Sequence, residues 1–474
     1  MHTFRLPEKP FWGCAAACLL ALSACAPMQH TPPAAVMTDA AALNLPAKPV
    51  FIPPEWWRQL NDDALNQLID TTLAQSPDLT AAAARLRQAQ AGSGLAASQN
   101  GVQAALSADG VGLYHESISH PNSLSERIFG NSVHYGNIQL KGQWAWDLWG
   151  EHKSELAAAL GKERALAYEI AQTRLLLAQA ITAQYFQLQT LFAQQALLRE
   201  RIAIKKQQEQ LLRDRVRAGL LPPSQLFPVQ NAQQQFAAAI RDLDEKAALI
   251  RHALSALSGQ PPHALNHWRP KPSSAVPAAP VATLSADILG KRADLAAQRE
   301  AVLSRGHLVH AAEAKFYPNI RIRALIGRSA LEIGDLPSMQ SWAAGLLPSI
   351  TLPIFTSGAL QANLSVKQAE YDEQVARYNK SVYQALKEAA DALSQYESAR
   401  ESAALQQQTL RLAQRQQAAA ADRVKAGVET RLAVLTAQDE VVQARSRILQ
   451  AQLQQKVAWA ALNTVFGGGF RQPE

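Results

Sequence analysis

The stretch Arg215-Val216-Arg217-Ala218-Gly219 occurs a second time, with one basic exchange, as Arg423-Val424-Lys425-Ala426-Gly427. The two copies are 208 residues apart (427 − 219), and Gln230 and Gln438 repeat at that same offset. The chain is therefore a tandem duplication, since self-similarity at one fixed spacing marks repeated structural units. Because glycine adopts left-handed backbone angles at little cost, each copy predicts a helix that ends at a turn.

Each half is predicted to contain a helix, two strands, a very long helix, the glycine turn and a further helix. The first half covers residues 55–258, and the second covers residues 285–466. Residues 259–284 are rich in Pro, Ala and Ser and are expected to form an exposed linker. Residues 467–474 are expected to form a C-terminal tail.

The opening helix of each half is predicted from apolar spacing and helix-stop signals. In the first half it runs from about Asp63 to Ser98, with an interruption at Ser76-Pro77-Asp78. Its counterpart runs from about Ala286 to Lys315, with Arg292-Ala293-Asp294 at the equivalent place. The duplication thus extends to the details of these helices.

The first 24 residues form a predicted secretion signal, in which basic residues precede an apolar stretch from Phe11 to Leu22. That stretch is too short to span a bilayer. It ends in Leu22-Ser23-Ala24-Cys25, which resembles a bacterial lipoprotein signal, so Cys25 is predicted to carry N-acyl and diacylglycerol lipid. The alternative is an ordinary secretory peptide that happens to end at a cysteine. Residues 25–54 are Pro-rich and are expected to lie extended along the surface.

Composition favours helices over other structure. The chain is 48% hydrophobic but only 6% aromatic, so its apolar share is mostly Ala and Leu, which enter helices readily. Its net charge of +7 is spread along the predicted helices rather than concentrated, which argues against a nucleic-acid partner. Loss of the signal also removes Cys14 and Cys18, so the mature chain has no disulfide. No later window offers 18 uninterrupted apolar residues, so strands would have to make any membrane crossing.

Four candidate strands show alternating apolar and polar residues. In the second strand the apolar set includes Trp144 and Trp146, and in the third the polar set includes Arg321 and Arg323. The first strand is the weakest of the four. The predicted strands are 102–114, 137–148, 319–326 and 341–355.

The alternation predicts an outer-membrane β-barrel shared between several chains. Apolar outward faces with aromatic residues near the interfaces are typical of such barrels, and a water-filled interior would solvate Arg321, Arg323 and Lys141 on the other face. Four strands cannot close a barrel, and lipid cannot hydrogen-bond the backbone groups at an open sheet edge. Several chains would therefore have to share one barrel. The alternative is a soluble sheet covered on one face by helices.

A long helix is predicted from Glu151 to Arg217, without a proline, and a second from Leu360 to Lys425. At ~1.5 Å per residue the first is on the order of 100 Å long, which no globular core matches. Its apolar residues follow an alternating spacing of three and four, the seam of a coiled coil. The seam is predicted at Leu177, Ile181, Leu188, Leu191, Leu198, Ile202, Leu212 and Val216.

Taken together, these features resemble the outer-membrane efflux factor family, the TolC-like channels, and in particular its NodT-type lipoprotein branch. The resemblance extends over nearly the whole mature chain. It includes Trp56-Trp57, the two strand-to-helix junctions Trp146-Asp147-Leu148-Trp149-Gly150 and Leu352-Pro353-Ile354-Phe355-Thr356-Ser357-Gly358, and the two glycine turns.

The resemblance implies a homotrimer in the outer membrane, whose twelve strands close one barrel and whose helices continue it as a coiled-coil periplasmic tunnel. Such a subunit is a passive exit duct for small molecules such as drugs or aromatic acids. Its partners would be membrane lipid, an inner-membrane pump and a periplasmic adaptor protein that opens its tip. The docking residues implied are Arg215, Gly219, Arg423, Gly427 and Val428.

The gate at the tip departs from the family pattern. Family members usually carry carboxylates after the second turn, but the corresponding residues here are Ala433 and Thr436. Asp439 and Glu440 lie about one turn further and are one candidate gate, whereas Leu432 is a candidate apolar constriction. A third interpretation is that both acids only solvate a helix face.

Two other classes of protein fit the sequence less well. An enzyme would need a catalytic or metal motif, but His115, His120 and His134 lie in a predicted polar loop without paired cysteines or an HExxH arrangement. A periplasmic adaptor lipoprotein would need one helical hairpin inserted into strand-rich domains, whereas this chain has two hairpins and few strands. No metal or other cofactor is predicted, and the sequence does not identify the cargo.

Overall fold

The structure is a computed structural model, and it describes residues 35–38, 43, 45–46, 51–114, 132–271, 276–280, 283–330 and 342–470. Signal residues 1–24 and Cys25 lie outside this part of the chain. The described residues belong to two compact units. The first contains residues 35–36, 87–164 and 299–377, and the second contains the described residues within 37–86, 165–298 and 378–470.

Both halves of the chain contain the same order of elements. The first half comprises α1 (Asp63–Gln75), α2 (Pro77–Gln99), β1 (Gln103–Tyr114), β2 (Ser132–Trp146), α3 (Glu151–Arg217) and α4 (Phe227–Leu257). The second comprises α5 (Ile288–Lys291), α6 (Ala293–Ala314), β3 (Asn319–Ala330), β4 (Trp342–Thr351), α7 (Ala359–Lys425) and α8 (Arg431–Val465). The predicted duplication is confirmed. Short 3₁₀ turns at Trp56–Leu60 and Pro223–Leu226 complete the first half.

The interruptions of the opening helices are confirmed and have different causes. Between α1 and α2, Ser76 takes an extended ψ of 127° because the following Pro77 disfavours helical angles at that residue. Between α5 and α6, Arg292 takes a ψ of 125° although no proline follows. Its buried guanidinium donates to Asp294 Oδ2 at 2.6 Å and to Glu388 Oε2 at 2.8 Å. The second interruption therefore lies at a residue that is held by ion pairs.

The four strands form one antiparallel sheet in the order β1-β2-β3-β4, and this sheet belongs to the first unit. The second and third strands are longer than predicted, because pairing continues to Ser132 and to Ala330, but the second ends at Trp146 rather than at residue 148. The fourth ends at Thr351 rather than at residue 355, two residues before Pro353, which has no N–H for a ladder. His134 therefore lies in a strand opposite Gly112, not in a loop as predicted; His115 and His120 lie outside the described residues.

The long helices α3 and α7 contain 67 residues each, and the predicted bounds of α3 are confirmed. The predicted seam is correct along the first part of α3, where Leu177, Ile181, Leu188 and Leu191 are buried. It is wrong at Leu198 and Ile202, because Leu197 and Ile204 pack with Leu435 and Val442 of α8 instead, whereas Leu212 is buried as predicted. None of the helices in the described part is long and apolar enough to cross a membrane.

The core of the second unit centres on aromatic residues. Trp56 meets Trp57 and Trp459 edge to face, at centroid distances of 5.7 and 5.6 Å. Asp62 caps α1 by accepting from Leu65 N–H, and both of its oxygens also accept from the Tyr185 hydroxyl. Burial and the Asp62 carboxylate together raise the pKa of Tyr185, so the phenol stays protonated.

Two segments that the sequence left outside the repeats pack against this core. In the predicted linker, residues 261–264 are exposed, but Trp268 packs on Tyr185 at 5.4 Å between ring centroids. At the end of α8, Gly467, Gly468 and Gly469 all have positive φ angles. A Cβ atom at Gly467 would lie 2.0 Å from the Lys291 carbonyl oxygen, so only glycine fits there.

Candidate functional site

The sheet has two chemically different faces, and the apolar face is largely exposed. The register places Trp144 opposite Ile322 and Leu140 opposite Ile326. On this face Leu106 is 72% exposed and Ile350 is 71% exposed. The same face also carries Ile138, Trp146, Trp342 and Leu346.

An exposed apolar surface of this kind marks contact with lipid or with another protein. Aromatic residues occur at its two ends in β2 and β4, as in the aromatic girdles of membrane strands. Among the described residues, the outer edges of β1 and β4 have no strand partner. A lipid environment would require those edges to be paired, which further chains could do.

The opposite face of the sheet is polar and carries basic side chains. Lys141, Arg321 and Arg323 are exposed there. Gln143 lies between them and donates to Gln103 Oε1 at 2.8 Å across the β1–β2 pair. This face therefore suits water, in agreement with the alternation in the sequence.

The two strand-to-helix junctions explain the motifs that carried the resemblance. The Trp149 indole N–H donates to the Pro318 carbonyl oxygen at 2.9 Å, and its ring stacks on Tyr317 at 4.8 Å between centroids. Asp147 Oδ2 accepts from the Lys153 backbone N–H at 2.8 Å, near the start of α3. Gly150 and Gly358 occupy equivalent left-handed positions, with φ angles of 77° and 82°.

The glycine turns have the same hydrogen-bonding pattern in both halves. Gly219 N–H donates to the Val216 carbonyl at 3.0 Å, and Leu220 N–H donates to the Arg215 carbonyl at 2.9 Å. This pair of bonds is the Schellman motif, which needs a left-handed residue after the helix. Gly219 supplies it with a φ of 72°. The predicted structural role of Gly219 is thus confirmed.

The second turn repeats the first. Gly427 has a φ of 71° and donates to the Val424 carbonyl at 3.0 Å, while Val428 N–H donates to the Arg423 carbonyl at 3.1 Å. These bonds use the terminal carbonyls of α7. The side chain of Arg423 lies elsewhere, with its Nε 3.0 Å from Glu429 Oε1. Arg215 is half-buried at the end of α3.

Each turn also exposes one apolar side chain. Leu220 is 72% exposed and Val428 is 71% exposed. The residue at this place in a Schellman motif usually packs back onto its own helix. Both side chains remain available to a partner, and Leu220 is a candidate that the sequence pattern did not single out.

The residues considered for the gate have different environments. Asp439 is half-buried, and its Oδ1 accepts from Arg201 Nε at 2.7 Å while its Oδ2 accepts from Arg201 Nη2 at 3.1 Å. Lys205 Nζ also lies 3.0 Å from Oδ2. Burial acts to raise the pKa of Asp439, but the hydrogen bonds and charges of Arg201 and Lys205 outweigh it and lower the pKa. Asp439 therefore links α8 to α3 as a carboxylate.

The remaining gate candidates are more accessible. Thr436 is exposed, donates to the Leu432 carbonyl at 3.0 Å and accepts from Gln208 Nε2 at 3.3 Å. Leu432 is half-buried and Glu440 is exposed. Of the two acids, Glu440 alone has an exposed carboxylate in the chain as described.

A second carboxylate joins the two helices of the first hairpin. Glu209 of α3 accepts from Gln230 and Gln233 of α4, both at 2.9 Å, and from Arg213. These hydrogen bonds lower the pKa of Glu209 to about 2. No sequence signal predicted this contact, because glutamine and glutamate are ordinary residues on any exposed helix.

Chemical catalysis would need a clustered set of reactive groups. Within the described residues, no group of three or more His, Cys, Asp or Glu side chains is arranged to hold a metal ion. Cys25, predicted to carry lipid, lies outside the described residues.

Comparison with known proteins connects these features to one family. Residues 68–260 and 284–468 match the family model described as outer membrane efflux protein. The two matched segments follow the two halves of the duplication.

Two curated relatives match over most of their length. The chain is 31% identical over 473 residues to the putative multidrug resistance outer membrane protein MdtQ of Escherichia coli, covering 96% of this chain and 97% of that protein. It is 28% identical over 428 residues to the multidrug resistance outer membrane protein MdtP of the same organism, covering 88% and 86%.

A solved structure has the same fold. The crystal structure of the outer membrane protein VceC from Vibrio cholerae superposes with a TM-score of 0.77 at 27% identity, covering 89% of this chain and all of that chain. The fold class predicted from the sequence is confirmed.

Proposed function

Because the chain belongs to the outer membrane efflux protein family, we propose that it forms the outer-membrane exit duct of a tripartite efflux system as a homotrimer. In this proposal an inner-membrane pump supplies the cargo and a periplasmic adaptor opens the duct. The names of the relatives MdtQ and MdtP support multidrug efflux. Aromatic acids are a second class of small molecule that such a duct would release.

One observation carries the proposal: a sheet with one exposed apolar face, one basic face and two edges that are unpaired among the described residues. In lipid such a sheet is stable only when its edges are closed. Three copies of the four strands give twelve, which lies within the range of known barrels. The basic face would then line water.

Closure predicts a heat-modifiable trimer. Protein extracted from membranes in mild detergent should run as a trimer on a gel without boiling and as a monomer after boiling. A periplasmic adaptor, the alternative considered from the sequence, has no barrel to resist the detergent. A chain that runs as a monomer without boiling, or that is released from membranes by salt alone, contradicts the proposal.

Adaptor docking in this proposal occurs at the two turns, around Gly219 and Gly427, with Arg215, Arg423 and Val428 as contacts. The exposed Leu220 and Val428 support this, since an apolar side chain held on a fixed turn suits insertion into a partner's groove. Gly427→Trp strains the turn, because the φ angle of Gly427 is 71°, but its side chain has room, since no heavy atom lies within 4 Å of the place where its Cβ would be. It should abolish export while leaving the trimer intact.

Crosslinking tests the docking surface directly. A cysteine at Val428 carrying a photoreactive group should form adducts with the adaptor in cells, and one at Lys380, exposed on α7, the helix that ends before this turn, should not. Adducts at Lys380 alone would place the adaptor elsewhere. Loss of the trimer in Gly427→Trp would assign that glycine a purely structural role.

We also propose that Cys25 carries the lipid anchor in the outer membrane. The support is its position after Leu22-Ser23-Ala24, with Ala26 following. Radiolabelled palmitate should enter the wild-type chain and not Cys25→Ser, while the variant should still form the trimer. Equal labelling of both chains would refute acylation at this residue.

A further inference from the structure

Three basic side chains on the polar face of the sheet lie close together. Arg321 and Arg323 are two residues apart on β3, so they share a face and are separated by roughly 7 Å along the strand. Lys141 of β2 pairs with Leu325, the next residue of β3 on that face. The three cations therefore occupy one band across the two central strands.

Within the described residues, no carboxylate neutralises this band. None of the three cations forms an ion pair with a described residue, and Arg321 Nε donates to the uncharged Asn319 Oδ1 at 3.0 Å. On the same face, Asp109 lies opposite Asn137, four residues from Lys141 and so roughly 13 Å along the strand. That separation exceeds the Debye length of ~8 Å at physiological salt.

Other carboxylates near the band are already engaged. Glu151 and Glu155 at the start of α3 lie 3.6 and 3.7 Å from Lys315 Nζ. Asp147 accepts from the Lys153 backbone N–H. The side chain of His152 lies near Glu155 and lines a cavity with Arg321 and Arg323. A histidine carries no negative charge, so it does not neutralise the band either.

Arg323 lines two open cavities on the polar face. The larger, of about 600 Å³, is bounded by Lys141, Arg323 and Gln143 and by the apolar Leu325 and Leu347. The smaller, of about 240 Å³, is bounded by Arg321, Arg323 and His152. The larger cavity thus combines cations with an apolar wall, which suits an anion that has a hydrophobic part.

We propose that Lys141, Arg321 and Arg323 form a cationic belt in the channel. The belt favours the passage of anions over cations and transiently binds small aromatic carboxylates. The belt rests on the proposed function, since only a trimeric channel turns the polar face inward. Three copies would place nine cations around one lumen, where low-dielectric walls focus their field. Arginine also matches a carboxylate with two parallel hydrogen bonds.

The belt can be tested by the chemistry of a single thiol. Gln143 pairs directly with Arg323, so a Gln143→Cys reporter lies inside the belt. In the membrane-embedded trimer, with Cys25→Ser removing the other predicted mature thiol, each reagent's rate is divided by its rate with a free thiol in solution, and these normalised rates are compared throughout. The normalised rate should be higher for an anionic methanethiosulfonate than for a cationic one. Adding Arg323→Gln should lower the ratio of anionic to cationic rates by roughly threefold or more, since one charge on the directly paired residue is removed.

A matched control distinguishes the belt from charge in general. Arg328 lies on the same strand but on the apolar face, opposite Ile138 and Trp342. Arg328→Gln should leave the ratio unchanged. Equal rates for both reagents in the otherwise unmodified reporter, or an equal effect of Arg323→Gln and Arg328→Gln, would overturn the belt.

A second measurement tests binding of the aromatic carboxylate. Sodium benzoate should slow modification of the reporter by a neutral methanethiosulfonate, and benzyl alcohol at the same concentration should not. Arg323→Gln should abolish the protection by benzoate. Protection that is equal for benzoate and benzyl alcohol would overturn binding through the cations.

Failure of the belt and failure of the proposed channel give different results. A thiol at Leu140, on the apolar face, should react with neither charged reagent if that face contacts lipid. If the Gln143→Cys thiol is equally unreactive, the polar face does not line water and the channel itself is contradicted. If it reacts without charge preference, the channel stands and the belt is wrong.

Discussion

Replacing Asp439 with alanine tests whether charge holds α8 against α3. The Asp439 side chain is 13% exposed, and those of its two cationic partners, Arg201 and Lys205, are 19% and 17% exposed. Alanine at this position leaves both cations close together without a counter-charge. The surrounding apolar contacts of Leu435 and Val442 with α3 remain.

The expected loss lies between two known limits. Exposed ion pairs contribute ~0.2–1 kcal/mol, whereas removing one partner of a fully buried pair costs ~3–5 kcal/mol. Because these side chains keep some contact with water, we expect a local destabilisation of about 2 kcal/mol. That corresponds to about a thirtyfold increase in the population of the locally opened state.

Amide hydrogen exchange of the detergent-solubilised trimer measures this opening. Protection of the α8 segment around Leu435 and Val442 should fall about thirtyfold in Asp439→Ala. The control is Asp422→Ala, which removes an exposed pair with Lys425 at 3.1 Å. Equal loss of protection in both variants, or none in Asp439→Ala, would refute the assignment of the ion pair as a clamp.

The pH dependence gives an independent check on the same residue. The folded-state pKa of Asp439 is lowered, so its contribution to stability is present above its unfolded-state pKa of ~3.9 and is lost as pH falls through the folded-state value. After correction for intrinsic exchange rates, wild-type protection should stay level from pH 7 to about 5 and decline below about 4. Asp439→Ala should lack this contribution to the decline.

Three further predictions concern other parts of the chain. Gly219→Ala and Gly427→Ala should each lose about 1–2 kcal/mol of local stability, because alanine is strained at φ angles of 72° and 71°, whereas Gly94→Ala inside α2 should gain up to about 1 kcal/mol. Hydrogen-exchange protection of the helices measures the loss and the gain, and increased protection at either turn would contradict the left-handed assignment. Ile322→Arg on the apolar face should cost roughly 2–4 kcal/mol per chain if the residue contacts lipid near the midplane of the membrane. The variant trimer should therefore dissociate at a lower temperature on gels, and unchanged heat resistance would place Ile322 away from lipid. Arg292→Met should destabilise the second unit by about 1–2 kcal/mol, because the Asp294 and Glu388 carboxylates that it leaves without their cation are 32% and 37% exposed. Lys387→Met, which removes an exposed pair with Asp391 at 2.6 Å, should cost under about 1 kcal/mol; similar urea midpoints for the two variants would exclude a stabilising role of the Arg292 ion pairs.

The backbone plan was predictable because local signals determine it. The repeated Ala-Gly turns set the ends of α3 and α7, and Ser76-Pro77 set the break between α1 and α2. Alternation over β2 and β3 indicated the correct apolar and polar faces. Each of these signals acts within a few residues, so one sequence contains enough information to read it.

Features that depend on distant partners were less accessible. The seam of α3 shifts to Leu197 and Ile204 because α8 supplies Leu435 and Val442 there, more than 200 residues away in sequence. Strand ends depend on where the neighbouring strand stops, so β2 and β3 were predicted too short. Asp439 was a gate candidate by position, but its cationic partners lie on another helix.

Duplication of the backbone did not duplicate the chemistry of the two turns. Arg201 and Asp439 correspond, at the repeat offset of 208, to Thr409 and Asn231 (409 − 201 and 439 − 231). A threonine and an asparagine cannot form the charge-assisted bond that joins α3 to α8. The turns at Gly219 and Gly427 are therefore alike in backbone geometry, but an ion pair at the Arg201 and Asp439 level is possible only between α3 and α8. Any change that separates α3 from α8 near these turns must therefore break this charged contact, which the corresponding residues Thr409 and Asn231 cannot form.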